Sequence, residues 1–264
     1  APLIAETGGL NAMVVDSTAL PEQAVRDIVA SSFQSAGQRC SALRVLYVQE
    51  DVMAPVLAML QGAMAQLHLG DPWHLSTDIG PVIDARAKAG IMAHIAAARA
   101  QGRVIAEGVA PQDGTFVAPT ILHLPDGIKT LDQEIFGPVL HVTPYRAADL
   151  GRVIAEVNAK GYGLTFGMHS RIDDRVQEVT AAIRVGNTYV NRNQIGAVVG
   201  SQPFGGEGLS GTGPKAGGPA YLSRFTQGQT ALVTDSAPGQ ADRAALAAAL
   251  AALPDPRDRV LGVE

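Results

Sequence analysis

The 264-residue chain has one cysteine, few aromatic residues and little charge of either sign. Aromatics make up 5% and charged residues 17%, against 47% apolar. With Cys40 as the lone thiol, a disulfide framework within the chain is impossible, and a reducing, cytoplasmic setting is expected. The formal net charge of −5 leaves no basic footprint, so nucleic acid is not an expected partner. No apolar run approaches the roughly eighteen residues that a membrane-spanning helix needs. The opening residues, APLIAETGG, have no basic n-region and no long apolar h-region, so no signal peptide is expected. They also lack an initiator methionine, and the chain is expected to be a piece of a longer one. What is present is an ordinary globular share of apolar residues, in a chain long enough to bury a sizeable core.

The apolar residues alternate between two periods. Ala12–Val15 reads as a buried strand ending at Asp16. A helix follows from Pro21 to about Ser35, with Val25, Ile28, Val29 and Phe33 at helical spacing, Pro21 in its first turn and Thr18 as its cap. Further strands are expected at Arg44–Val48, Val104–Ala106, Val139–Val142, Leu164–His169 and Thr188–Val190. Further helices are expected at Asp51–His68, Asp84–Arg99, Ala147–Lys160 and Asp173–Arg184. This alternation predicts an α/β fold with a largely parallel sheet. Residues 196–218 are dense in glycine and proline and read as an elaborate loop. Beyond Phe225 the composition suggests a linker at 231–239 and an Ala-rich helix at 241–253.

Cys40 stands at a helix–strand junction, next to Arg39, whose charge would favour the thiolate. It can be a nucleophile or a small packing residue. His68, His94, His123, His141 and His169 fall in or beside predicted elements and read as packing or surface residues. Their spacing matches no zinc pattern, so no metal site is expected. A carboxylate is the other partner for a thiol. Glu6, before Gly8 and Gly9, can act as a general base or belong to a surface turn. Glu134, two residues from Phe136 and followed by Gly137-Pro138, can bind sugar hydroxyls or be a plain loop acid. Gly206, Gly208 and Gly211 match a dinucleotide fingerprint by letter. No strand leads into them and no helix follows, so they are read instead as shaping a binding loop or a close backbone crossing.

Together these segments resemble the aldehyde dehydrogenase superfamily. Glu-Thr-Gly-Gly at 6–9 is similar to its general-base motif, and Gly-Gln-Arg-Cys-Ser at 37–41 to its nucleophile motif, at the family's separation. Glu-Ile-Phe-Gly-Pro-Val at 134–139 resembles its nicotinamide-ribose motif. Leu-Gly-Asp-Pro at 69–72, Gly-Pro-Val-Ile at 80–83, Ala-Pro-Thr at 118–120, Gly-Asn-Thr-Tyr-Val-Asn at 186–191 and Pro-Phe-Gly-Gly at 203–206 follow in family order. Residues 191–219 resemble the aldehyde anchor of L-glutamate γ-semialdehyde (Δ1-pyrroline-5-carboxylate) dehydrogenases, most of all the form fused to a flavin-dependent proline dehydrogenase.

The resemblance implies an aldehyde dehydrogenase catalytic domain over 1–225, a tail of unknown role over 226–264, and a cofactor domain that would precede residue 1. It implies Cys40 as nucleophile and Glu6 as base of a cysteine thiohemiacetal and thioester mechanism. Glu134, Phe136 and Gly8 would lie at the NAD site. Ser41, Gly196, Ala197 and Phe204 would bind a small-molecule aldehyde, with backbone N–H groups at 196 and 197 forming a nest for its carboxylate. FAD would belong only to an upstream domain. The intact enzyme would be a homo-oligomer, and these residues alone would bind NAD weakly and turn over little. Two other readings compete. A non-catalytic domain kept for assembly or for covering an active site would not need Cys40, Glu6 and Glu134 together. A CoA-acylating enzyme would not need Glu6.

Overall fold

The computed structural model describes residues 3–196, 198 and 201–225, and the backbone of 261–262. The elements, in chain order, are β1 (Ala12–Val15), α1 (Pro21–Phe33), β2 (Val45–Gln49), α2 (Glu50–Met64), α3 (Ala85–Ala100), β3 (Val104–Glu107), β4 (Thr120–His123), β5 (Val139–Tyr145), α4 (Leu150–Ala159), β6 (Tyr162–Gly163), β7 (Thr165–His169), α5 (Asp173–Ala182), β8 (Asn187–Val190), β9 (Glu207–Gly208) and β10 (Leu261–Gly262). One sheet runs β10-β8-β7-β1-β2-β5-β4-β3, and β6 pairs with β9 apart from it. Every neighbouring pair of the large sheet is parallel except β3 with β4. The expected α/β architecture is therefore present. The linker and helix expected at 231–253 lie outside the described residues.

β1 sits in the middle because it is apolar on both sides, as a strand covered on both faces must be. Its residues divide between two cores. Met13 and Val15 pack with Leu46, Val48 and Ile121 under α1, α2 and α3. Ala12 and Val14 pack with Val45, Tyr47 and Phe166 against α4 and α5. Burial of each large side chain contributes on the order of 1.5–3 kcal/mol. Among the described residues no helix is long and apolar enough to cross a membrane.

Local chemistry sets several boundaries. Pro21 begins α1, but Thr18 does not cap it: the N-cap is Leu20, with no side-chain bond. Thr18 turns back to Asp16, its Oγ1 donating at 2.6 Å and its N–H at 2.7 Å. Asp84 does cap α3, its carboxylate accepting from Ala87 N–H at 2.7 Å. α2 ends at Met64, short of the expected His68. β5 runs on to Tyr145, and β4 joins the sheet although the sequence pattern did not predict it.

Doubly wound sheets bind ligands at the carboxyl ends of their strands. Here that edge is closed where β1 meets β7. Buried Asp16 accepts from Ser170 Oγ at 2.5 Å and Arg175 Nη1 at 2.6 Å, besides Thr18. Burial alone would raise its pKa, but these donors outweigh burial and hold it below the ordinary carboxylate value. The opposite edge is formed by the loops entering β1, β2, β5, β7 and β8, and it gathers the residues of interest.

Candidate active site

The loop entering β2 carries Cys40, which is exposed, and Ser41, which is buried. Side chains from other segments fix this loop through its carbonyls. Asn11, at the start of β1, donates from Nδ2 to the Cys40 carbonyl at 2.7 Å and to the Ala42 carbonyl at 2.9 Å. The Ser41 carbonyl accepts from Thr165 Oγ1 and from Gln194 Nε2, both at 3.2 Å. The Arg39 carbonyl accepts from Arg44 Nη2 at 3.2 Å and from Ala42 N–H at 3.0 Å.

Arg44 is the second organising residue, and its guanidinium is almost fully buried. It donates from Nε at 3.0 Å and Nη2 at 2.8 Å to Glu134 Oε1, and from Nη1 to the Gly37 carbonyl at 2.7 Å and the Gly137 carbonyl at 3.3 Å. Glu134 Oε2 accepts from Gly9 N–H at 3.1 Å. Phe136 is 43% exposed and lies under the Arg44 guanidinium, 5.1 Å from its carbon to the ring centre. Glu134 and Phe136 line an open groove of about 390 Å³ with Gln38, Ile83, Asp84 and Ile91.

The paired glycines make room for these groups. A Cβ on Gly8 would lie 1.8 Å from Glu134 Oε2, and one on Gly9 would lie 2.6 Å from Asn11 Oδ1. Gly8 thus borders Glu134 directly.

Glu6 arrives beside the glycine-rich loop. Its backbone forms an antiparallel bridge with Gly211, and its Oε2 accepts from Gly206 N–H at 3.1 Å. Cβ atoms at Gly205 or Gly211 would come within 3.0 Å of its Oε1. Gly208 enters β9, which pairs with β6. Gly206 and Gly211 thus sit where the backbone passes the Glu6 carboxylate, and Gly208 where it passes Gly161, in place of a strand–turn–helix phosphate loop.

The Glu134 and Glu6 carboxylates both act electrostatically on Cys40. The Cys40 thiol is pushed up, mainly by partial loss of solvent around the sulfur, although the residue as a whole is exposed. The Ser41 and Cys40 N–H groups oppose this, and the Glu134 and Glu6 carboxylates add to it. The expected thiolate-favouring charge of Arg39 is not among the causes of this shift, and its Nε donates to Ser35 Oγ at 3.1 Å. Glu6 is also raised, by burial, with Gly206 N–H opposing.

Of the expected anchor residues, Gly196 has φ +105° and Phe204 is half-buried, paired across a bridge with Ala216. Ala197 lies outside the described residues. Gln194, two residues before Gly196, ties this segment to the Ser41 carbonyl. Among the described residues there is no cluster of three or more metal-ligating side chains. His141 and His169 are buried and His94 is half-buried, with His94 Nε2 and His141 Nε2 2.8 Å apart.

Asn11, Arg44 and Gln194 were not singled out from the sequence. Arg44 alone left a signal, a charge at the mouth of the apolar run 42–48.

A family model described as "Aldehyde dehydrogenase family" matches residues 1–231. Bifunctional protein PutA of Klebsiella aerogenes is 58% identical over 232 residues, which are 85% of this chain and 18% of the relative. A 1-pyrroline-5-carboxylate dehydrogenase of Bacillus thuringiensis is 39% identical over 230 residues, 86% of this chain and 44% of the relative. The chain thus spans under a fifth of the first relative and under half of the second. Among solved structures, a variant of proline utilization A from Bradyrhizobium japonicum superposes with TM-score 0.83 at 57% identity, covering 85% of this chain and 23% of that one. A 1-pyrroline-5-carboxylate dehydrogenase from Thermus with bound NAD gives 0.78 at 34% identity, covering 84% and 43%.

Proposed function

Because this chain belongs to the aldehyde dehydrogenase family, we propose that it carries the nucleophile, hydrolytic base and substrate anchor of an NAD-dependent L-glutamate γ-semialdehyde dehydrogenase. The observation that carries the reading is that Glu6 and Glu134 lie on the same sheet edge as Cys40 and both act electrostatically on its thiol.

Glu134 fits the ribose of a nicotinamide dinucleotide. Arg44 fixes its Oε1, while Oε2 has Gly9 N–H as its one protein donor among the described residues and keeps acceptor capacity for a hydroxyl. Phe136 offers an exposed ring beside it, and Gly8 leaves the space that this carboxylate occupies. When bound, the dinucleotide supplies the two-electron oxidant.

The chain's own residues do the rest. The Cys40 thiolate adds to the aldehyde carbon, forming a C–S bond, and the new alkoxide of the thiohemiacetal faces backbone N–H groups around Cys40. After oxidation the substrate is held on Cys40 as a thioester. Glu6 takes a proton from water as the water oxygen adds to the acyl carbon. The C–S bond then breaks, the thiolate returns, and glutamate leaves. Ser41 and the backbone at Gly196 and Ala197 hold the α-carboxylate, and Phe204 packs on the aliphatic carbons. The 264 residues alone bind NAD weakly and turn over little in this reading, which rests on the chain spanning only 18% and 44% of the two relatives.

The test compares substrates on the full-length protein. L-Glutamate γ-semialdehyde should be oxidised with kcat/KM about tenfold or more above a straight-chain aldehyde of equal length without the carboxylate, the equivalent of one charge-assisted hydrogen bond. Equal values for the two would overturn the assignment of substrate.

A further inference from the structure

We infer that Asn11 is a positioning residue for the nucleophile: by holding the Cys40 carbonyl, it turns the Cys40–Ser41 peptide so that the Ser41 N–H faces the Cys40 sulfur. The inference rests on the proposed role of Cys40 and adds to it a residue that the motif reading does not contain.

Asn11 is 2% exposed, and every polar atom of its amide is committed. Nδ2 donates its two protons to the carbonyls of Cys40 and Ala42, and Oδ1 accepts from Thr165 N–H at 3.2 Å. Two carbonyls on one side and an N–H on the other leave a single sensible orientation for the amide. Its backbone carbonyl accepts from Arg44 N–H at 2.9 Å and Val45 N–H at 3.1 Å, which fastens the residue to the start of β2. Gly9 completes the fit, since any Cβ there would collide with Oδ1.

A trans peptide carries its C=O and N–H on opposite edges. A carbonyl drawn toward Asn11 therefore sends the Ser41 N–H the other way, away from Asn11. The preceding peptide follows the same rule: Arg44 Nη2 and Ala42 N–H hold the Arg39 carbonyl and leave the Cys40 N–H on the opposite edge. These two N–H groups are the ones that favour the thiolate, against burial and the two carboxylates. Without Asn11 the Cys40–Ser41 peptide can rotate and place a carbonyl oxygen, which repels a thiolate, where the donor had been.

The experiment uses the full-length enzyme with Asn11→Ala and with Asn11→Ser, the latter retaining one donor in the buried site. Cys40 is alkylated with iodoacetamide across a range of pH, and kcat and the KM for NAD are measured on the same preparations. The expected result is an alkylation curve moved about one pH unit to the alkaline side and a kcat reduced about tenfold in Asn11→Ala, the size of one lost hydrogen bond to a charged group. Asn11→Ser should fall between Asn11→Ala and wild type, with the KM for NAD within about twofold of wild type in both variants. A residue that served only folding would lower yield or melting temperature and leave the alkylation curve in place. An unshifted curve in either folded variant overturns the inference. Failure of the underlying reading shows separately, as aldehyde oxidation persisting in Cys40→Ala.

Discussion

Replacing Gly8 with alanine tests how the site is assembled. The added methyl would lie 1.8 Å from Glu134 Oε2 and 3.0 Å from the carboxyl carbon. The oxygen would have to retreat by on the order of 1 Å or more to reach van der Waals separation. A free glutamate could do this at little cost. This one cannot, because Arg44 grips Oε1 at 2.8 and 3.0 Å, and Arg44 is itself tied to the carbonyls of Gly37, Arg39 and Gly137. The variant should lose at least the Gly9 N–H bond to a charged acceptor, about 1.5–3 kcal/mol. Complete rupture of the buried pair would cost about 3–5 kcal/mol. We expect Gly8→Ala to lower stability by about 2–3 kcal/mol and to raise the KM for NAD about tenfold or more in the full-length protein. Denaturant melts and NAD titrations measure the two effects. The decisive control is Gly8→Ala on a Glu134→Ala background, where no carboxylate is left to strike. There the glycine substitution should cost close to nothing, giving a coupling energy near the single-variant loss. Equal costs in both backgrounds would refute the reasoning.

Two further outcomes follow from the same geometry. Glu6→Gln should slow steady-state turnover about 10²–10⁴-fold while a first-turnover burst of NADH survives, because the base acts after oxidation. Loss of the burst together with turnover would place Glu6 earlier in the reaction. Burial lowers the pKa of His141 to about 3, with its His94 neighbour adding to the effect, and burial likewise lowers that of His169 to about 4. On acidification the unfolded chain is protonated first, so each histidine should reduce stability below about pH 6.5, by roughly 1.4 kcal/mol per pH unit, until its own folded pKa is reached. Urea midpoints across this range check the sign, and a stability that held or rose on acidification would contradict it.

The parts of the fold that could be read from sequence are those in which one segment decides its own state. β1, α1, β2 and β7 carry their period in consecutive residues, and Pro21 marks a helix start by its fixed φ and missing N–H. β4 has only Ile121 and Leu122 as an apolar signal and becomes a strand because β5 offers an edge. Thr18 could serve equally as a cap or as a donor to Asp16, and the choice depends on Ser170 and Arg175, which are distant in sequence. The site divides in the same way. Cys40, Glu6 and Glu134 stand in short motifs and were legible. Asn11 and Arg44 act through bonds to residues 29 and 90 positions away, so a local pattern carries no trace of their roles. Arg39 shows the converse, a charge adjacent in sequence whose Nε is engaged with Ser35 and which is not among the causes of the Cys40 shift.

The central claim is that Cys40 forms the covalent bond to substrate. Its most direct measurement is mass spectrometry of the full-length Glu6→Gln protein quenched during turnover with L-glutamate γ-semialdehyde and NAD. The expected result is an acyl adduct of the substrate on the peptide containing Cys40, and neither adduct nor NADH in Cys40→Ala. An unmodified Cys40 in a protein that still reduces NAD, or aldehyde oxidation retained by Cys40→Ala, would contradict it.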